Sequence, residues 1–323
     1  MIKHFVIAAA LGSLLLGAPG AVTPAAAEIS EFQLDTLGKK KKRAPVRQTV
    51  SLGVKSWMNA EIGNAWRQGY KGQGVTLTTV DDFKSASRAY GDLGTGVKRL
   101  RHGEWTHQEA RMIAPSATAR THEFSSGRSV ALNRGLNVIN LSYGMYAREG
   151  YATSAIRWSA QESSLIGHAK LGRAVVSKAA GNDAVAVGAA TPDGSKDYLN
   201  AALVGTSSAI FVGALERNGT AANPARLAGY SNFAGDNAAV QGQFLVVGVE
   251  GHKTGLYGTS FAAPVVSGYS AVVGSKFTRA TPTQVADRLL STARTDTIAD
   301  YDAAIHGRGE ASISRALAPV SIE

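Results

Sequence analysis

Four residues, in one order along the chain, carry types that together could do covalent chemistry: Asp81, His102, Asn182 and Ser260. A serine hydroxyl is a weak nucleophile until a base takes its proton, and an imidazole base works best when a carboxylate orients it. An asparagine amide can donate to the oxyanion that such an attack creates. Ser260 lies in Tyr257-Gly258-Thr259-Ser260-Phe261-Ala262-Ala263-Pro264, after Gly251 and Gly255. The glycines read as a tight loop, and residues 262–273, rich in Ala and Val, read as a buried helix. A serine at that junction sits beside the unsatisfied N–H groups and the positive end of the helix. The octapeptide alone fits a helix N-cap equally well. Asp81 taken singly fits a turn cap, His102 a surface residue among seven histidines, and Asn182 a left-handed turn. Their order, carboxylate then imidazole then amide then hydroxyl, favours acyl transfer on a serine.

The elements that must position these residues alternate between strands and helices. Gly72-Gln73-Gly74 opens a β-branched run that ends at Asp81-Asp82. Further strands read at 136–141, 174–179, 209–214 and 244–249. They are nearly continuous apolar runs, as parallel strands covered on both faces require. Helices read at 108–113 and 153–171, and Trp57, Ile62 and Trp66 share a helical face that Gly69 closes. Thr281-Pro282-Thr283-Gln284 is a capping box with Pro at the first helical position, leading into a helix over 283–293. The pattern predicts an α/β fold in one domain, with a mostly parallel central sheet and helices on both faces. In such sheets functional groups gather at the carboxyl ends of strands.

The 323 residues, 44% hydrophobic and 18% charged, describe a folded chain with a sizeable core. Residues 1–27 read as an export signal: Lys3, an apolar run over 5–16, and Ala25-Ala26-Ala27 before Glu28. That run is too short to span a bilayer, so no stable membrane anchor is expected and the protein is placed in a periplasm or the medium. Residues 28–54, with Lys39-Lys40-Lys41-Lys42-Arg43, read as a basic flexible leader, and the basic run also suggests a processing cleavage after Arg43. Residues 55–318 form the folded domain and 319–323 a tail. The chain has no cysteine, which excludes disulfides and thiol chemistry. The net charge of +10 reads as a solubility charge; no basic-aromatic interleaving of a nucleic-acid module is present.

These motifs together resemble the subtilisin-like serine peptidases, the subtilases, over residues 55–318. The strand ending at Asp81, His102-Gly103 with Ala114-Pro115 downstream, Ser142-Tyr143-Gly144, Ala180-Gly181-Asn182, Ser231-Asn232 and Gly258-Thr259-Ser260-Phe261-Ala262-Ala263-Pro264 carry the resemblance. It implies a subtilisin-like fold and an exported endopeptidase cleaving polypeptides through an acyl-enzyme. It assigns Asp81, His102 and Ser260 as the triad and Asn182 as oxyanion donor. Substrate backbone would lie along Ser142, Tyr143, Gly144, Ala180 and Gly181. The tail from Ile305 to Pro319 is similar to the end of subtilase domains in bacterial autotransporters. No cofactor is required; calcium is common in the family, but no Asp/Glu-rich loop assigns a site, and the oligomeric state is left open.

Three departures stand out. Glu104-Trp105 follows His102-Gly103 where the family has Thr-His. Met145 follows Gly144 where the family has Gly, and is expected to reshape the wall of the first specificity pocket. Asp82 and His107 rival Asp81 and His102. The Glu104-Trp105 departure motivates a second reading, a catalytically inactive subtilase-like protein that binds extended peptides. An esterase is disfavoured because Ser260 lacks the Gly-x-Ser-x-Gly elbow. A metallopeptidase is disfavoured because His102 and His107 are five apart rather than four.

Overall fold

A computed structural model describes residues 53–322 and three residues near the N-terminus. Residues 28–52 of the leader, and the rest of the export signal, lie outside the described residues. In chain order the strands are β1 (Val6–Ala8), β2 (Thr76–Asp81), β3 (Ala89–Gly91), β4 (Lys98–Leu100), β5 (Thr118–Glu123), β6 (Asn137–Leu141), β7 (Gly144–Arg148), β8 (Val175–Ala179), β9 (Ser195–Asp197), β10 (Ala209–Leu215) and β11 (Phe244–Gly248). The helices are α1 (Glu61–Arg67), α2 (His102–Ile113), α3 (Ala160–Lys170), α4 (Tyr198–Leu203), α5 (Ala238–Gln243), α6 (Gly251–Thr254), α7 (Ala263–Lys276), α8 (Pro282–Ser291), α9 (Ala303–His306) and α10 (Ile313–Ala316).

Six strands form one parallel sheet in the order β11-β10-β8-β6-β2-β5. Alternate residues of each strand feed two separate cores, as the two-residue period of a strand dictates. Leu77, Val138, Val175, Val212 and Leu245 face one core with α1, α2, α7 and α8. Val80, Ile139, Val176, Phe211 and Phe244 face the other, with α3 and α4. This is the α/β architecture read from the sequence. Helix α7 is buried almost all round because it is built from Ala, Val, Gly and Ser. Gly268 lets it meet α2: a Cβ there would lie 2.6 Å from Ile113.

The chain leaves β2 for β5 on one side and returns to β6 on the other. The crevice at this reversal lies at the carboxyl ends of β2 and β6, flanked by Asp81 and Ser142. A smaller antiparallel sheet, β1-β7-β9, follows directly from β6. Neither β7 nor β9 is read from the sequence, since each is a short mixed-polarity strand. Two helix starts also differ from the reading. Helix α2 begins at His102, not 108, because the Glu104 carboxylate reaches back to accept from the Arg101 N–H there. The second begins at Ala160, not 153, because the Ser159 hydroxyl accepts from the N–H groups of Gln161 and Glu162. Thr281 and Gln284 make the expected capping box. No helix among the described residues is long and apolar enough to cross a membrane.

Candidate active site

Asp81 ends β2, and His102 is the first residue of α2. His102 Nδ1 lies 2.6 Å from Asp81 Oδ1, both side chains being buried. The carboxylate also accepts from the Asp82 N–H at 2.7 Å and the Thr106 hydroxyl at 2.8 Å. With these donors on it, the carboxylate faces Nδ1 as an acceptor, which keeps the proton on Nδ1 and leaves the lone pair on Nε2. His102 Nε2 is buried and has no hydrogen-bond partner among the described residues. Burial disfavours the imidazolium, but the charge and hydrogen bond of Asp81, with the more distant Asp82, outweigh it and raise the His102 pKa above its ordinary value. Gly103 is required at the next position: its N–H donates to Asp82 O at 2.9 Å, and a Cβ would lie 2.7 Å from that oxygen.

The rivals stand elsewhere. Asp82 accepts from the N–H groups of Lys84 and Ser85 and from the Ser85 hydroxyl, closing a turn. Burial works against its charge, yet those donors and His102 hold its pKa below the usual range. His107 meets Thr79 Oγ1 at 3.1 Å, and burial, then the Arg111 charge, push it down to about 4. The unusual Glu104-Trp105 pair serves the helix. Glu104 accepts from the Arg101 N–H at 2.7 Å, and fully buried Trp105 donates to Ala89 O at 3.0 Å. The residue that sequence reading missed is Thr106. The i, i+4 spacing from His102 puts both on one helical face, and that was its available signal.

Ser260 lies in a 3₁₀ turn, Thr259–Phe261, that runs into α7. Its Oγ donates to Ser142 O at 3.3 Å, while the Ser142 hydroxyl donates to Ser260 O at 2.9 Å. The Phe261 ring stands 5.7 Å from the His102 ring, which brings the serine turn to the start of α2. Asn182 follows β8 and its Oδ1 accepts from Thr259 N and Oγ1 at 2.8 and 3.0 Å. These bonds fix the amide by its oxygen and leave Nδ2 as donor. Thr259 Oγ1 also accepts from the Gly181 N–H at 3.1 Å. Asn232 clamps the same loop: its Nδ2 donates to Ala180 O, and its Oδ1 accepts from the N–H groups of Asp183 and Val185. Gly181, at φ +116°, leaves no room for a Cβ against the Asn232 amide. Thr259 and Asn232 are positioning residues that the motifs marked without assigning a task.

Ser142, Tyr143 and Gly144 run beside the serine. The Tyr143 side chain turns away into the core shared with α3 and α4, where its hydroxyl meets Glu162 and Gln161 at 3.2 Å, so this residue offers only backbone to the cleft. Met145 also departs from expectation. It packs on the α3 side core, while the next residue, Tyr146, points between Gly144 and Gly181. Alternation along β7 explains the exchange. Burial, followed by the charges of Asp197 and Asp183, raises the Tyr146 pKa, so its hydroxyl stays neutral. Behind Gly144, Lys178 Nζ lies 3.1 Å from Asp197 Oδ2 in a buried ion pair. No cluster of three or more His, Cys, Asp or Glu among the described residues could hold a metal ion.

Sheet order, the buried α7 and a serine at its start define the α/β architecture of subtilisin-like proteins. The family model of the subtilases, Peptidase_S8, matches residues 103–309, and the chain belongs to this family of serine peptidases. The match begins one residue after His102. Comparison with curated proteins gives no match. Among solved structures, the chain is similar to the prenylagaramide maturation protease PagA, at 20% identity over 80% of this chain and 98% of that one, with a TM-score of 0.52. It is also similar to a lanthipeptide protease, at 18% identity over 81% of this chain and 93% of that one, with a TM-score of 0.54.

Proposed function

We propose that this protein is an exported serine endopeptidase. The observation that carries the reading is the buried, unpartnered Nε2 of His102, whose other nitrogen donates to Asp81 at 2.6 Å. In this reading Ser260 Oγ leaves Ser142 O and rotates toward Nε2. Oγ attacks the peptide carbonyl as Nε2 takes its proton, forming a tetrahedral oxyanion. Asn182 Nδ2 and the Ser260 N–H donate to that oxyanion. The imidazolium, held by Asp81, then protonates the leaving amine, and water releases the acyl group by the same steps in reverse. Substrate backbone lies extended beside Ser142 and Gly144, along Ala180 and Gly181. That edge accepts a strand: β1 pairs antiparallel with Gly144, Met145 and Tyr146. Cleavage of an export signal after Ala27 would free it.

Glu104 accepts from the Arg101 N–H at the start of α2 and Trp105 fills the core, which supports this reading over the inactive, peptide-binding one. Fluorophosphonate labelling tests the assignment. The folded wild type is expected to label, and Ser260→Ala and His102→Ala are not, with kcat on an unfolded protein falling by about 10⁶ in either. A folded wild type that fails to label sinks the enzyme reading. Intact mass of the secreted form tests export: a start at Glu28 supports the signal, and a start at Ala44 adds cleavage after Arg43.

A further inference from the structure

With substrate backbone placed as proposed above, the side chain preceding the scissile bond enters beside the serine, between two segments. One is the segment Ser142 to Gly144, tied to Ser260 through the Ser142 hydroxyl and carbonyl. The other is Gly181 to Asn182, tied to Thr259. The space between the walls is already occupied by a side chain of the protein. A Cβ at Gly144 would lie 2.5 Å from Tyr146 Cε2, and a Cβ at Gly181 would lie 3.5 Å from Tyr146 Oη. The Tyr146 ring therefore reaches from one wall to the other. Its hydroxyl donates to Asp183 Oδ2 at 3.4 Å, on the far wall.

The pocket has no depth to spare behind the ring. The same Gly144 Cβ position is 2.7 Å from Asp197 Oδ2. That carboxylate is pinned by Lys178 Nζ at 3.1 Å and by the N–H groups of Met145, Leu199 and Asn200 on its other oxygen. Moving it would strand a buried charge, which is costly. Asp197 is thus held in place beside Gly144, next to the position that the Tyr146 ring also approaches.

Resting on the peptidase reading above, we propose that Tyr146 determines specificity by filling the first pocket, so that the residue before the scissile bond must be small and uncharged: Gly, Ala or Ser. Leu and Phe meet the ring, and Lys or Arg finds no opening past it.

The test uses quenched peptides that differ only at this position, carrying Ala, Leu, Phe or Lys. The wild type is expected to favour Ala over Phe in kcat/KM by at least about tenfold, the range that a clash of this size in an apolar pocket commands. Tyr146→Ala is expected to raise the Phe-to-Ala ratio by about 10–100-fold. Tyr146→Phe keeps the ring and is expected to keep the wild-type preference. A wild type that prefers Leu or Phe, or an unchanged ratio in Tyr146→Ala, overturns the proposal. So does a preference for Lys that Asp183→Asn abolishes, which would assign specificity to charge.

Binding of the same peptides to Ser260→Ala, read by fluorescence anisotropy, separates this proposal from the reaction it rests on. Tighter binding of the Ala peptide, relaxed in Ser260→Ala with Tyr146→Ala, supports the pocket even if the wild type hydrolyses nothing. Equal binding of all four peptides overturns the pocket even if the wild type is active.

Discussion

Two buried cation–carboxylate pairs stand near the carboxyl ends of β2 and β8, on either side of β6, and they have opposite fates. Asp81 and His102 meet at 2.6 Å; Asp197 and Lys178 meet at 3.1 Å. Both carboxylates collect extra donors: Asp81 from Asp82 and Thr106, Asp197 from Met145, Leu199 and Asn200. The difference lies in the cation. Lys178 gives its protons to Asp197 and to Ala179 O at 2.7 Å and keeps no lone pair. His102 spends one nitrogen on its carboxylate and keeps the other unpartnered. An imidazole has two ends and titrates near neutrality; an ammonium has one and does not. In the proposed mechanism the first pair moves a proton, while the second holds a carboxylate behind Gly144.

Removing one partner of the second pair should have the largest effect on folding. Lys178→Met leaves Asp197 buried and unpaired, and urea unfolding is expected to show a loss of about 3–5 kcal/mol. The same loss in His102→Ala would break the comparison, because that residue is read as reactive rather than structural. Next comes the oxyanion donor. Asn182→Ala is expected to lower kcat by about 10²–10³ while the thermal midpoint moves little, in contrast to Lys178→Met. Smaller again is Thr106→Val, which deletes one charge-assisted bond to Asp81. At about 1.5 kcal/mol for such a bond, kcat should fall about tenfold.

The smallest effect is a shift along the pH axis. His102 must be neutral to accept the serine proton, and its pKa is raised, so kcat/KM should climb with pH through a midpoint above about 6.5. The stability term runs the other way. Charged His102 paired with Asp81 stabilises the fold fully below the unfolded pKa, and this is lost as pH rises through the folded value. Imidazole titration by NMR should place the midpoint lower in Asp81→Asn, where burial acts without the carboxylate. An unmoved midpoint there would mean that Asp81 does not set the His102 charge.

Much of this architecture was legible because strong local signals agree with the fold. Buried parallel strands read as apolar runs, the Thr281–Gln284 box starts α8, and Gly69 closes the turn after α1 with φ +92°. The candidate residues stood out as motifs because Asp81 ends a strand, His102 begins a helix and Ser260 lies in the turn before another. Legibility failed where long-range contacts decide. Glu104 and Trp105 looked like damage to a motif, yet one caps α2 and the other fills the core. Met145 was expected to reshape a pocket wall, yet it packs against the α3 side core, and Tyr146 is the side chain that stands between Gly144 and Gly181.

The sequence by itself determined the class of fold, the order of the chemical groups and the family they resemble, because periodicity, caps and glycine positions are local. Only the tertiary structure decided which of Asp81 and Asp82 meets His102, that Thr106 completes the carboxylate's bonds, and that Tyr146 stands between Gly144 and Gly181. Those outcomes depend on which face of a strand or helix each side chain leaves from. A one-residue change of register reverses them without altering the pattern that sequence reading detects.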